Sequence, residues 1–180
     1  AEDPIENLAW YDTEMEECAQ GYAAYVVELL ETAKQTCSDP VVMIEQRVDF
    51  SRWVRDGFGT ADCIVIADGV MSICDYKHGK GVEVSAVGNP QMRLYALGAL
   101  EIFDGIYDID QVCMTIFQPR KGNVSTDVID KDALLEWANG DLAEKAKLAY
   151  EGLGDFHCGE WCRFCKAKAE CRERAAVNLE

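Results

Sequence analysis

The stretch GTADCIVIADGVMSICDYKHGKG, residues Gly59 to Gly81, decides how the rest of the chain is read. Two apolar runs flank the pair Asp68-Gly69. Asp-Gly between such runs predicts a two-residue type I′ turn and therefore a β-hairpin. That turn fixes the register. Ala67 faces Val70, Ile66 faces Met71, Ile64 faces Ile73, and Asp62 faces Asp75. Directly opposed residues have Cβ atoms about 4.5–5.5 Å apart, where like charges repel. Lys77, two residues past Asp75, falls on the same face. One end of one face thus gathers two carboxylates and an ammonium. The other face carries Cys63, Val65, Ala67, Val70, Cys74 and Tyr76. Both faces are largely apolar, which predicts an inner pair of strands.

Two opposed carboxylates need either a shared proton or a cation between them. Mg²⁺ and Mn²⁺ prefer oxygen ligands and commonly use one or two carboxylates together with phosphate oxygens. A carboxylate–lysine salt bridge at a strand end is the plainer alternative, and the hairpin alone does not separate the two.

The chain has 180 residues, 49% of them apolar, which suits one α/β domain with a small appendage. No apolar run approaches the roughly 20 residues of a membrane helix. With no signal peptide recognised, the nine cysteines are expected to be reduced and the protein cytoplasmic. The net charge of −16 argues against a protein that coats nucleic acid non-specifically. The charge is uneven, however. Residues 1–31 hold nine acids and no Lys or Arg, whereas residues 162–174 hold five bases against two acids.

Periodicity predicts a helix over residues 12–34, a strand over 41–50, the hairpin, and a helix from Asn89-Pro90 to about Asp104, with Asn as cap and Pro in the first turn. A strand over 111–120, a short strand over 125–130, and a helix over 131–152 interrupted at Asn139-Gly140 follow. The connection from the hairpin to the 111–120 strand is long enough for a crossover. The expected fold is a mixed central sheet with helices on both faces.

Three further sets carry chemistry. Glu45 lies within an apolar strand, where a charge needs a partner, a metal or solvent; paired beside Asp62, it would join a cation site. Gln91 and Tyr95 lie four apart on one helical face, placed to hydrogen-bond or stack against a bound strand. Cys158, Cys162, Cys165 and Cys171 crowd into fourteen residues, a spacing that suits zinc or an iron–sulfur cluster. His157 beside them reads as a bystander. His78 beside Lys77 is either a phosphate contact or a solvated loop residue.

Asp62 followed by Asp75-Tyr76-Lys77 resembles the signature of the PD-(D/E)XK nuclease superfamily. Glu45, Gly59-Thr60-Ala61-Asp62 and Gln91-x-x-x-Tyr95 look like its RecB-type exonuclease branch. Cys162-Arg163-Phe164-Cys165 with Cys171 resembles the C-terminal cysteines of the iron–sulfur members, with a phage- or prophage-borne relative the nearest in appearance. The resemblance implies a restriction-endonuclease-like core over 1–155 with a cysteine-rich, basic tail over 156–180 packed on it. It implies Asp62, Asp75, the Tyr76 carbonyl and Glu45 as ligands of Mg²⁺ or Mn²⁺, with Lys77 as the third catalytic residue. Gln91 and Tyr95 would contact DNA, and the four cysteines would hold a 4Fe–4S cluster, with zinc as the alternative. DNA ends or single strands, and phage recombination proteins, are the partners so implied. That branch also carries a histidine ligand on an N-terminal helix and an early cluster cysteine, neither identifiable here. A segment beginning at Ala1 is expected to lack an N-terminal part that would hold them. The alternative function is a catalytically weak nuclease-like module that binds DNA or a partner and keeps a structural metal site.

Overall fold

The structure, a computed structural model, describes residues 9 and 11–178. The segment around Ala1 lies outside the described residues. Its centre is a five-stranded sheet in the order β1-β2-β3-β4-β5: β1 Val41–Asp49, β2 Phe58–Ala67, β3 Val70–Tyr76, β4 Gln111–Gln118 and β5 Asn123–Asp130. The β3–β4 pair is parallel and the other three are antiparallel. Helix α1 (Thr13–Ala33) and helix α2 (Pro90–Phe103) cover opposite faces. After β5 come α3 (Lys131–Trp137), a π-turn over Ala138–Leu142, α4 (Ala143–Glu151) and, at the end, α5 (Arg172–Val177). The expected layered α/β fold with a mixed sheet is the observed one.

The hairpin forms at Asp68-Gly69, whose φ angles of 47° and 76° are those a type I′ turn requires. Its register is the expected one, with Ile64↔Ile73 and Cys63↔Cys74. The period of two then sorts the sheet's side chains. Ile64, Ile66, Met71, Ile73, Val112, Met114 and Ile116 pack with Met92, Ala96, Leu97 and Leu100 of α2 in the main core. Cys63, Val65 and Cys74 form a second cluster under Tyr22, Tyr25, Val26, Leu29 and Leu30 of α1. Asp75 lies beside Ile116 on the α2 face, at the edge of the main core.

Helix α2 is the crossover between the parallel strands. Asn89 caps it by accepting from the N–H groups of Gln91 (3.0 Å) and Met92 (3.3 Å), and Pro90 opens the first turn. Gly98 lets the helix approach β1 closely. A Cβ there would lie 2.9 Å from Cβ of Val48 and 3.0 Å from the backbone N of Asp49.

The break expected at Asn139-Gly140 is instead a π-turn within continuous helical backbone. Asn139 accepts the indole N–H of buried Trp53 at 2.8 Å, so a residue that disfavours helix is held there by a tertiary hydrogen bond. The strand expected over 111–120 ends at Gln118, because Pro119 begins a 3₁₀ turn.

Candidate functional site: the end of the hairpin

The β2–β3 ladder ends at Cys63↔Cys74, so the expected pairing of Asp62 with Asp75 is not made through the backbone. Oδ2 of Asp62 accepts the backbone N–H of Tyr76 at 2.7 Å. A carboxylate so used terminates the ladder and pins β3 to β2 at the point where they part. Asp75 is 4% exposed. Its carboxyl is pushed above the ordinary aspartate range by burial and further by the charge of Asp62, against the pull of Lys77. Nζ of Lys77 lies 2.8 Å from Oδ2 of Asp75 as an ion pair. Beyond this ion pair the buried oxygen has no other donor.

Lys77 is aimed from the other side by α2. Its ammonium donates to Oε1 of Gln91 at 3.2 Å, and Nε2 of Gln91 donates to the Tyr95 hydroxyl at 3.0 Å. The Tyr95 ring lies over Gly59, where a Cβ would come within 2.4 Å of it. Five residues singled out in the sequence (Asp62, Asp75, Lys77, Gln91 and Tyr95) are therefore brought to one end of the sheet. Tyr76 joins them through its N–H, while its ring faces Tyr22 of α1 at 5.2 Å.

Glu45 falls beside Asp62 on the other side of β2. The β1–β2 register runs Ile44↔Cys63 and then Gln46↔Ala61, leaving Glu45 and Asp62 between them without a backbone pair. Glu45 has φ 53° and is exposed. Val48 and Ala61 share the main core with Ile64 and Ile66, so the alternation of both strands changes phase at Glu45 and Asp62. Among the described residues, no three His, Cys, Asp or Glu side chains converge so as to hold a metal ion. Glu45, Asp62 and Asp75 thus do not form a three-carboxylate cage here. The pair Asp62 and Asp75 supplies the kind of oxygen donor that a hard cation takes.

In the tail, Cys158 lies beside Cys162 and near Cys171, but no three of the four cysteines converge so as to hold a metal. Burial, a hydrogen bond to Cys162 and the nearness of Cys162 and Cys171 raise the thiol of Cys158. Sγ of Cys162 accepts the N–H of Gly159 at 3.4 Å, the sort of bond that steadies a thiolate ligand. Cys165 and Cys171 line an open cavity of about 820 Å³ together with Phe156, His157 and Arg172. Phe156, Trp161 and Phe164 are 78%, 64% and 76% exposed.

Sequence reasoning passed over Glu14 and Arg120. Nε and Nη2 of Arg120 donate to the Glu14 carboxylate at 3.2 and 2.8 Å, and Lys80 reaches it at 3.0 Å. The available signal was the run of bases without acids in Lys77–Lys80 and Arg120–Lys121, two loops that only the parallel pairing of β3 and β4 brings together.

No helix among the described residues is long and apolar enough to cross a membrane. Among solved structures, the crystal structure of SSO0001 is similar at 15% identity over 91% of this chain and 79% of that chain, with a TM-score of 0.38. The match to a family model runs over residues 2–180, nearly the whole chain, and so the chain belongs to the family described as "Protein of unknown function (DUF2800)".

Proposed function

We propose that the chain is a Mg²⁺- or Mn²⁺-dependent DNA exonuclease, a PD-(D/E)XK enzyme of the RecB-like kind with a restriction-endonuclease-like core. The observation that carries the reading is the buried Asp75 carboxyl, raised by burial and by the charge of Asp62, whose Oδ2 is met only by the partly exposed ammonium of Lys77. Two carboxylates brought together in a buried setting are costly unless positive charge lies near them; Lys77 supplies one such charge, and a divalent ion between the two would supply more. Asp62 and Asp75 would hold the ion with the Tyr76 carbonyl, and exposed Glu45, which does not converge with them here, would have to move to add an oxygen. A hard divalent ion at this place lowers the pKa of a bound water and offsets charge on the scissile phosphate.

The chain's own groups do the remainder. Lys77 carries a positive charge to the point where negative charge grows on the phosphate. Gln91 and Tyr95 fix the direction of that ammonium, and Gly59 leaves room for the ring that supports them. Asp62, by taking the Tyr76 N–H, keeps Asp75 and Lys77 in register. The four tail cysteines would hold a 4Fe–4S cluster or zinc with a structural role, close to the chain's most basic stretch. DNA ends or single strands are the proposed substrate, in phage or prophage recombination, in a cytoplasmic setting.

The test is degradation of labelled single- and double-stranded DNA with Mn²⁺. Wild type should shorten the strands progressively. Asp75→Asn and Lys77→Met should each lose activity by about 10²-fold or more. Among the described residues no third ligand converges on Asp62 and Asp75, which is the arrangement of a second reading, a nuclease-like module that binds DNA without cutting it. Equal inertness of wild type and Asp75→Asn on every substrate would sink the enzyme and leave that module.

A further inference from the structure

The carboxyl ends of the parallel strands β3 and β4 lie side by side, and the N–H of Lys77 still donates to the carbonyl of Phe117 at 2.9 Å. In open α/β sheets, ligands bind beyond the carboxyl ends of the strands. The two loops that leave this edge are basic. Residues 77–82 supply Lys77, His78 and Lys80, residues 119–121 supply Arg120 and Lys121, and neither stretch contains an acid. In a chain of net charge −16, that local composition requires a reason.

Tyr76 splits the group across the sheet. Lys77 turns to the α2 face and meets Asp75. His78 turns to the α1 face, where its Nδ1 is 2.8 Å from the Tyr76 hydroxyl and its ring lies along the Tyr76 ring. Nη1 of Arg120 points at Nε2 of His78, 3.5 Å away. A guanidinium can only donate, so in this contact Nε2 of His78 is the acceptor. The Arg120 side chain is only 20% exposed, so its fork is aimed rather than free. The loop carrying Lys80 is likewise held. Buried Gln118 accepts the N–H of Val84 at 2.8 Å and donates to the carbonyl of Val82 at 3.1 Å.

The space in front of this fork is filled by the carboxylate of Glu14, in the first turn of α1. Its two oxygens take Nε and Nη2 of Arg120 as a bidentate pair, and both lie within 3.1 Å of Lys80 Nζ. These contacts hold the Glu14 carboxyl down at about 2. A planar oxyanion gripped by an arginine fork and a lysine is the arrangement by which proteins also grip phosphate.

We propose that Arg120 and Lys80, with His78 behind the guanidinium, form a second phosphate-binding site of this protein, beyond the end of β3 that carries Asp75 and Lys77, and that Glu14 is its built-in occupant, displaced when a phosphate group of the substrate arrives. The proposal deepens the nuclease reading, which supplies DNA as the source of the phosphate, but the site itself stands on the loops and Glu14. The phosphate is either the terminal one of a strand or an internal diester. An intramolecular carboxylate in the site weakens the protein's hold on DNA and restricts it to strands that reach both sites.

The test is equilibrium binding in EDTA, where no strand is cut. The probes are a short fluorescent single strand carrying a 5′-phosphate, the same strand without it, and inorganic phosphate as competitor. Glu14→Gln should tighten binding of the phosphorylated strand about tenfold, and Arg120→Gln should weaken it at least fivefold. Inorganic phosphate should move the ring proton resonances of His78, identified by their loss in His78→Gln. A larger gain for the phosphorylated strand assigns the terminal phosphate; an equal gain for both strands assigns an internal diester. If Glu14→Gln loosens α1, as a thermal melt would reveal, Arg120→Gln and the His78 resonances still decide. Affinities within twofold of wild type for both variants, with His78 unmoved by phosphate, would overturn the site. Because no metal and no cleavage enter the measurement, it can succeed even where the degradation assay shows no enzyme, and fail where that assay succeeds.

Discussion

Nζ of Lys77 stands 2.8 Å from Oδ2 of Asp75, with 26% and 6% of the two side chains exposed. The pair is unequal. Lys77 has a route to solvent and a second partner in Gln91, whereas Asp75 is enclosed by strand and helix. Removing the cation should therefore harm the fold more than removing the anion. Lys77→Met is expected to destabilise by about 1–3 kcal/mol at neutral pH, less than a fully buried pair would lose because Lys77 is partly exposed. Asp75→Asn should be neutral or stabilising while abolishing DNA degradation. Chemical denaturation of both variants checks the ordering, and a loss of stability in Asp75→Asn as large as in Lys77→Met would contradict it.

The same asymmetry gives a pH dependence. The Asp75 carboxyl is raised in the folded state, first by burial and then by Asp62. The folded protein thus holds this proton more tightly than the unfolded chain does. Its contribution is fully present below the ordinary aspartate range and is lost as pH rises through the raised value. Glu14 works in the opposite direction: lowered to about 2 by Arg120 and Lys80, its contribution is present above the ordinary glutamate range and lost as pH falls toward 2. Between pH 4 and 7, Asp75→Asn should gain stability relative to wild type as pH rises. Thermal melts across that window measure the difference, and parallel curves would contradict it.

Gly98 sits where α2 crosses β1, and a Cβ there meets Val48 and the backbone of Asp49 within 3.1 Å. Backbone cannot step aside as a side-chain tip can. Gly98→Ala should destabilise by about 1–3 kcal/mol despite alanine's better helix propensity, which for a chain of this size is several degrees in Tm. An unchanged or raised Tm would show that the helix can lift from the strand without loss.

Trp53 is 5% exposed and gives its indole N–H to Asn139. Asn139→Ala leaves that donor buried and unsatisfied, with an expected loss of about 1–3 kcal/mol. Circular dichroism of the variant should show helix content kept or raised, because the π-turn exists to present Asn139. A large loss of helix would mean that the turn has another origin.

Much of this was legible in the sequence, and for definable reasons. Asp68-Gly69 set the register, since only a short list of residues adopts the backbone of that turn. Asn89-Pro90 marked the start of α2, since capping is local chemistry. Arithmetic on the turn gave the register as far as Cys63↔Cys74, where the ladder ends. The phase change at Glu45 and Asp62 was not legible, because it arises where two strands bend together over the end of the core. Nor was the bond from Tyr76 N–H to Asp62, which exists only once the ladder stops. The Glu14–Arg120 pair joins positions 106 residues apart, and no local pattern encodes a contact made by the packing of α1 on the sheet edge.

The account's central claim is that Asp62 and Asp75 together seat a hard divalent cation. Crystals soaked in Mn²⁺, with anomalous diffraction recorded at the manganese edge, test it most directly. The predicted result is one strong peak about 2.0–2.4 Å from a carboxylate oxygen of each aspartate, with Lys77 swung off Oδ2 of Asp75 and still bonded to Gln91. A manganese peak elsewhere on the protein, or none at all with the Asp75–Lys77 ion pair undisturbed, would contradict the claim.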